Sequence, residues 1–112
     1  MDYQYNVELH RVVDGDTIVF DFDLGFKTKR RATVRLLGVD TAETYGVEHG
    51  SVEYKTGIKH KEFVKEWLNE ADSLSVRTDE KGKYGRWLGE IFNQDGESLN
   101  DRLVEEFNIT YD

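Results

Sequence analysis

The chain has 112 residues, no cysteine and a net charge of −8. This length predicts one domain spanning 1–112, and a hydrophobic content of 38% argues against disorder. The lack of cysteine excludes disulfides and thiolate metal sites. No apolar run reaches the ~20 residues of a membrane span, and the N-terminus has no secretory signal. We therefore expect either a cytoplasmic protein or the mature form of a secreted one.

The charge is distributed unevenly along the chain. Four basic residues cluster within 27–31 and Arg35 follows closely, whereas 97–112 holds five acidic residues against Arg102 alone. An acidic chain does not attract nucleic acid in general. A nucleic acid would have to approach a local basic face.

Five segments are predicted to be strands, most clearly the second and third, in which apolar and polar residues alternate. The apolar residues at even positions from Ile18 to Leu24 are expected to share one face of the second strand. In the third strand, Arg35 is expected to point away from the apolar face. The predicted strands cover 5–13, 16–24, 27–39, 73–79 and 86–93.

Apolar residues at helical spacing predict a helix over about 55–70. A second helix is predicted to begin after Ser98, because Ser98 and Asp101 resemble a capping box. The segment 43–53 lacks periodicity and predicts a surface loop. The order β-β-β-α-β-β-α matches the OB-fold, a mainly β (α+β) five-stranded Greek-key barrel that often binds oligonucleotides.

Three carboxylates and two arginines lie where predicted strands begin or end. Asp16 begins one strand, Asp40 ends another, and Glu43 follows one short turn later. Hard cations such as calcium take oxygen ligands of this kind. Arg35 and Arg86 each offer a planar fork that binds two phosphate oxygens at once. Together these residues predict metal-assisted cleavage of a phosphodiester.

Each of these residues also has an ordinary structural interpretation. Asp16 fits a simple Asp-Gly turn between two strands, and the other two carboxylates fit a solvated turn. Arg35 fits a surface arginine that pairs with Asp21 or Asp23. Arg86 fits an arginine at the edge of a strand.

The histidines and tryptophans are interpreted mainly as structural residues. His10, His49 and His60 have no ligand spacing and are predicted on the surface or on the flank of a helix. Trp67 is predicted to be a core residue. For Trp87, barrel packing is preferred to a base-stacking role, and both remain open.

Three motifs carry a family resemblance over nearly the whole chain. They are Asp-Gly-Asp-Thr at 14–17, Arg-Leu-Leu-Gly-Val-Asp-Thr-Ala-Glu-Thr at 35–44 and Lys-Tyr-Gly-Arg at 83–86. In order and spacing they resemble the staphylococcal nuclease (thermonuclease) family. The resemblance implies an OB-fold, calcium-dependent endo- and exonuclease that acts on DNA and RNA and leaves 3′-phosphate ends.

The resemblance also assigns expected roles around the metal. Asp16 and Asp40 resemble the carboxylate ligands of Ca²⁺, and Thr41 would lend its backbone carbonyl. Glu43 resembles the residue that activates or orients the attacking water.

Further roles concern the substrate. Arg35 and Arg86 resemble the two arginines that grip the scissile phosphate, and Lys83 and Tyr84 resemble groups that contact a terminal phosphate. Tyr111 is expected to pack beside a base.

Three departures from the family pattern modify these expectations. The family usually has proline where this chain has Ala42, which predicts a softer turn but no lost ligand. The best-known member is strongly basic, so this acidic chain is expected to bind nucleic acid more weakly and to depend more on calcium. Members commonly continue into a C-terminal helix, so with its last residue at Asp112 this chain is expected to be either a minimal member or a truncated one.

Two other functions remain open on the sequence alone. A non-catalytic OB-fold module would bind single-stranded nucleic acid through a basic groove and stacked aromatics, without cleaving it when calcium is added. An acidic protein-interaction domain would bind neither nucleotide nor calcium. For the nuclease we expect DNA and RNA as partners, a monomer, and no membrane or protein partner.

Overall fold

The computed structural model describes residues 3–39, 41, 50–81 and 87–108. Five strands and two helices occur there in the predicted order. The elements are β1 (Tyr3–Asp14), β2 (Thr17–Asp23), β3 (Lys29–Leu36), α1 (Val52–Glu70), β4 (Leu74–Lys81), β5 (Trp87–Asn93) and α2 (Leu99–Phe107).

The strands close into a barrel in the order β1-β2-β3-β5-β4, with β4 returning to pair with β1. Neighbouring strands are antiparallel except for β3 and β5, which are parallel. This exception follows from α1, which carries the chain across to β4 before β5 turns back beside β3. The prediction of a mainly β, OB-like barrel is confirmed.

The barrel interior is filled by alternating residues of the strands and covered by the helices. Ile18, Phe20 and Val34 have no exposed surface, and both helices contribute leucines to the same core. Leu24 is an exception to the predicted pattern, because it is 45% exposed. It lies beyond the end of β2, where the hairpin extends past the core.

Helix α1 begins at Val52, earlier than predicted, because the Ser51 hydroxyl accepts a hydrogen bond from the Tyr54 amide at 3.1 Å. The last residues of the predicted loop 43–53 are therefore helical. Most of that loop, residues 42–49, lies outside the described residues. No helix in the described part of the chain is long and apolar enough to cross a membrane.

Helix α2 begins as its capping residues predict. The Asp101 amide donates to the Ser98 hydroxyl at 3.2 Å, which satisfies one of the free amides of the first turn. Leu99 and Leu103 are fully buried, and Phe107 packs against the core. The predicted apolar side of this helix is thus confirmed.

Candidate functional site

Asp16 lies in the two-residue turn between β1 and β2, where Asp14 pairs with Thr17. The simple-turn interpretation is therefore right for the backbone. The carboxylate, however, faces inward, and only 12% of the side chain is exposed. Its Oδ1 accepts a hydrogen bond from the Thr17 hydroxyl at 3.1 Å. The turn thus places a nearly buried carboxylate at the rim of the barrel.

Arg35 reaches this carboxylate because β2 and β3 pair with Thr17 opposite Arg35. Its Nη1 lies 3.1 Å from Asp16 Oδ2, and its side chain is 16% exposed. The same nitrogen donates to the carbonyl of Val39 at 2.6 Å and to that of Leu36 at 3.3 Å. The guanidinium is therefore held in one orientation by a carboxylate and two backbone carbonyls.

The alternative pairing of Arg35 with Asp21 or Asp23 is wrong. Asp21 is bound by Arg31 through two hydrogen bonds of 2.9 and 3.3 Å, and this contact lowers the pKa of Asp21 below its usual value. Asp23 accepts the Gly25 amide in the hairpin turn. Both are surface contacts along the hairpin, whereas the Arg35 contact is nearly buried.

Thr41 brings a second group onto the Asp16 carboxylate. The predicted third strand, 27–39, ends earlier, at Leu36, because Gly38 adopts a left-handed φ of 77° and turns the chain. The Thr41 amide then donates to Asp16 Oδ2 at 3.2 Å. The Thr41 hydroxyl is buried and has no hydrogen-bond partner among the described residues.

Gly15 leaves the space in which these groups meet. A Cβ atom at this position would lie 2.9 Å from Thr41 Cγ2 and 2.8 Å from His60 Cβ. Contacts that short require a shift of both neighbours. The glycine of the Asp-Gly-Asp-Thr motif is therefore needed for close packing.

His60 lies beneath the site on α1 and is only 4% exposed, so its predicted surface position is wrong. Burial lowers the pKa of His60, and the Asp16 carboxylate opposes part of that shift. Its ring centroid lies 4.5 Å from that of Phe107, and the two ring planes are tilted by 57°. The sequence did contain a signal, because Gly57, His60 and Val64 follow the helical spacing of the buried face.

Asn100 is a supporting residue that the sequence analysis missed. This buried side chain accepts from the Ile91 amide at 3.1 Å and donates to the carbonyls of Leu37 at 2.8 Å and Gly89 at 3.1 Å. It joins α2 to β5 and to the turn that follows Arg35. The signal was a polar residue on the otherwise apolar side of α2.

The tryptophans take intermediate positions. Trp67, which was predicted to be a core residue, is half-buried, packs against the edge of the core and donates from Nε1 to Glu97 at 3.1 Å. Trp87 is also half-buried and lines a cavity of about 240 Å³ together with Tyr5 and Phe22.

The structure brings together three of the predicted site residues, namely Asp16, Arg35 and Thr41. Within the described ranges, no three histidines or acids cluster as a metal site. The other predicted site residues lie outside the described residues, and their roles stay predictions. They are Asp40, Glu43, Lys83, Tyr84, Arg86 and Tyr111.

The atoms available at this corner fit a hard cation. Asp16 supplies a carboxylate, and Thr41 supplies a buried hydroxyl that has no hydrogen-bond partner among the described residues. Carboxylate, carbonyl and hydroxyl oxygens are the donors that calcium prefers over nitrogen or sulfur. The guanidinium of Arg35 beside them suits an anion such as phosphate.

Taken together, the fold and the site define an OB-like barrel with an acid–arginine pair at its rim. Residues 33–107 match the model of the family described as staphylococcal nuclease homologue. The chain belongs to this family, as its three motifs predicted.

Three curated relatives illustrate the match. Endonuclease YhcR of Bacillus subtilis (strain 168) is 31% identical over 107 residues, which cover 91% of this chain and 8% of that protein. The thermonuclease of Staphylococcus hyicus is 37% identical over 102 residues, and that of Staphylococcus intermedius is 37% identical over 97 residues. Each match covers 86% of this chain and 53% of the thermonuclease. The chain thus spans about half the length of the two thermonucleases.

Proposed function

We propose that this chain is a calcium-dependent nuclease that hydrolyses phosphodiester bonds of DNA and RNA and leaves 3′-phosphate ends. The observation that carries the proposal is the contact of Arg35 with Asp16, at 3.1 Å and nearly buried, beside the Thr41 amide. Membership of the staphylococcal nuclease family and the names of the relatives, two thermonucleases and an endonuclease, support it.

In this proposal Arg35 binds the scissile phosphate. Its guanidinium is already oriented by the carbonyls of Leu36 and Val39, so little reorganisation is needed when charge develops on the phosphate oxygens. Donors that are fixed before the reaction stabilise such charge more effectively than mobile ones. Arg86 would contribute the second guanidinium.

Asp16 and Asp40, with the carbonyl of Thr41, would hold the calcium ion. When bound, the ion would supply a Lewis acid that polarises one phosphate oxygen. Glu43 would accept a proton from the attacking water or orient that water, and general-base catalysis of this kind contributes typically ~10²–10⁴-fold.

The remaining predicted residues would position the substrate. Lys83 and Tyr84 would contact a terminal phosphate, and Tyr111 would pack beside a base. Because the chain carries a net charge of −8, positive charge from calcium would also offset repulsion between the protein and its substrate.

Digestion of plasmid DNA and of RNA in calcium, in magnesium and in EDTA tests this function. We expect cleavage of both substrates in calcium, products with 3′-phosphate ends, and no cleavage in EDTA. Glu43→Gln protein should lose cleavage while keeping its circular-dichroism spectrum. Undiminished cleavage by this variant would contradict the proposed mechanism. If the unmodified protein binds single strands in EDTA but does not cleave them when calcium is added, a non-catalytic binding module is favoured instead.

A further inference from the structure

The hairpin between β2 and β3 ends in a tight turn built from residues that do not favour it. The Thr28 amide donates to the Gly25 carbonyl at 2.8 Å, and the two residues between them are Phe26 and Lys27. Their φ angles are 53° and 61°, both left-handed. Two-residue hairpin turns with this geometry prefer Asn-Gly, because left-handed φ is strained for a bulky side chain.

No burial of the Phe26 side chain compensates for this backbone strain. Its relative exposure is 103%, against 45% for its apolar neighbour Leu24. An apolar ring that is fully solvated contributes no burial energy. Unfavourable backbone conformations that persist without a packing reason point to a function for the residue concerned.

The hairpin is also basic. Within the described part of the chain, the side chains of Lys27 and Arg30 form no ion pair or hydrogen bond, although the backbone of Arg30 pairs with β2. The two other cations of the cluster are paired on the surface, Lys29 with Glu8 at 3.4 Å and Arg31 with Asp21. Exposed pairs of this kind contribute little stability, so Lys29 can exchange its partner readily.

An exposed aromatic ring flanked by cations matches one ligand chemistry. Nucleic-acid strands bind to proteins through phosphate contacts with lysine and arginine and through stacking of bases on aromatic rings, and phenylalanine can also wedge between base steps. In a chain with a net charge of −8, this cluster of cations would attract a polyanion locally.

Strand β3 connects the turn of the hairpin to the candidate active site. β3 runs from Lys29 to Leu36 and carries Arg35 near its end. Phe26 precedes Arg35 by nine residues, which corresponds to at most about 30 Å at the rise of a strand. At the rise of about 3.4 Å per nucleotide along one strand of duplex DNA, the ring lies within at most roughly nine nucleotides of Arg35.

We propose that the β2–β3 hairpin is a second nucleic-acid contact of this protein, in which Phe26 stacks on bases of a strand whose scissile phosphate lies at Arg35. Lys27 and Arg30 contact the phosphates of the same strand. The inference rests on the proposed nuclease function and extends it, because it makes long strands the preferred substrates.

Phe26→Asn removes the aromatic ring and leaves the turn intact, because asparagine tolerates left-handed φ. We expect this variant to melt at or above the temperature of the unmodified protein. With calcium, kcat/KM for a single strand of about 20 nucleotides should fall about tenfold, the loss of one stacking contact. A dinucleotide, too short to reach the hairpin, should be cleaved at an unchanged rate. Phe26→Tyr should retain the activity on the long strand.

Val52→Asn is the matched control, because Val52 is an apolar residue that is 82% exposed at the start of α1. It should cleave both substrates like the unmodified protein. The inference is overturned if Phe26→Asn cleaves the long strand normally, or if its activity falls equally on both substrates, which would indicate only a structural role for the hairpin.

If the protein is not a nuclease, the cleavage assays give a different result. If the unmodified protein cleaves neither substrate, the nuclease proposal fails, and fluorescence anisotropy of the labelled long strand in EDTA then tests the hairpin. Weaker binding by Phe26→Asn supports the inference, and equal binding overturns it. Loss of binding to vesicles of anionic phospholipid, with DNA binding unchanged, would overturn it in favour of a lipid surface.

Discussion

Asp16 binds Arg35 and the Thr41 amide through the same carboxylate oxygen. These residues come from the β1–β2 turn, from β3 and from the segment after it, so a single side chain ties three parts of the chain together. Its own position depends on Gly15, which allows Thr41 and His60 to approach. At the scale of residues, the site therefore consists of short contacts around one carboxylate.

His60 gives a prediction for the dependence of stability on pH. Burial places its pKa in the folded state below the ordinary value of 6.5. As the pH falls below 6.5, His60 of the unfolded chain binds a proton before His60 of the folded chain does. The free energy of unfolding therefore decreases. Urea denaturation in EDTA, from about pH 8 down to about pH 5, should show this loss.

The matched variant for this prediction is His60→Gln, which cannot titrate. Its free energy of unfolding should fall less than that of the unmodified protein over the same range. Parallel curves for the two proteins would contradict the assigned role of His60.

At the scale of elements, the sequence predicted the order of strands and helices because their periodicity is strong. The alternation from Ile18 to Phe22 indicated β2, and Ser98 indicated the start of α2. Periodicity cannot show where a hairpin leaves the barrel, so Leu24 was misplaced. It also cannot show tertiary pairing, and Asn100 was therefore missed.

The candidate site was predictable only in part for the same physical reason. The motifs and their family resemblance identified Asp16, Arg35 and Thr41 as candidates. Their contact depends on the register that pairs Thr17 with Arg35 and on the turn at Gly38. Neither feature follows from the spacing of the motifs along the chain.

Asn100 gives a prediction at this scale. Asn100→Leu would leave the Ile91 amide and the carbonyls of Leu37 and Gly89 without this partner. The Gly89 carbonyl still accepts the Leu37 amide at 2.9 Å, so two groups are left unsatisfied. Each unsatisfied buried group costs about 1–3 kcal/mol, and we therefore expect a loss of about 2–6 kcal/mol in urea denaturation. Asn69→Leu, on the exposed surface of α1, should change stability by less than about 0.5 kcal/mol. Similar losses in both variants would contradict the role of Asn100.

The whole molecule combines an acidic chain with a local basic hairpin and a candidate site that, in the proposed function, would hold calcium. The net charge of −8 opposes the approach of nucleic acid. Calcium would reduce this repulsion at the active site, and the β2–β3 hairpin would attract the strand at a distance from it. Substrate binding by this protein is therefore expected to depend on two separate positive regions.

Calcium binding gives a prediction that does not depend on activity. A ligand that binds only the folded protein stabilises it by about 2.7 kcal/mol at 100 times its Kd. We expect calcium to raise the melting temperature of the unmodified protein and to leave that of Asp16→Asn unchanged. An equal rise in both proteins would place the calcium elsewhere.

Cleavage of single-stranded DNA in calcium by Arg35 variants tests whether this guanidinium acts on the scissile phosphate. Arg77→Ala is the control, since Arg77 is also a strand arginine paired with a carboxylate, 2.5 Å from Glu90, but lies outside the proposed site. Losing one preorganised donor lowers the rate by about 10²–10³-fold, so kcat should fall by that factor in Arg35→Ala. It should also fall substantially in Arg35→Lys, because lysine retains the charge but not the planar fork. Arg77→Ala should cleave normally, and melting curves would show that each variant is folded. Folded Arg35→Ala protein that cleaves as fast as Arg77→Ala would contradict the account.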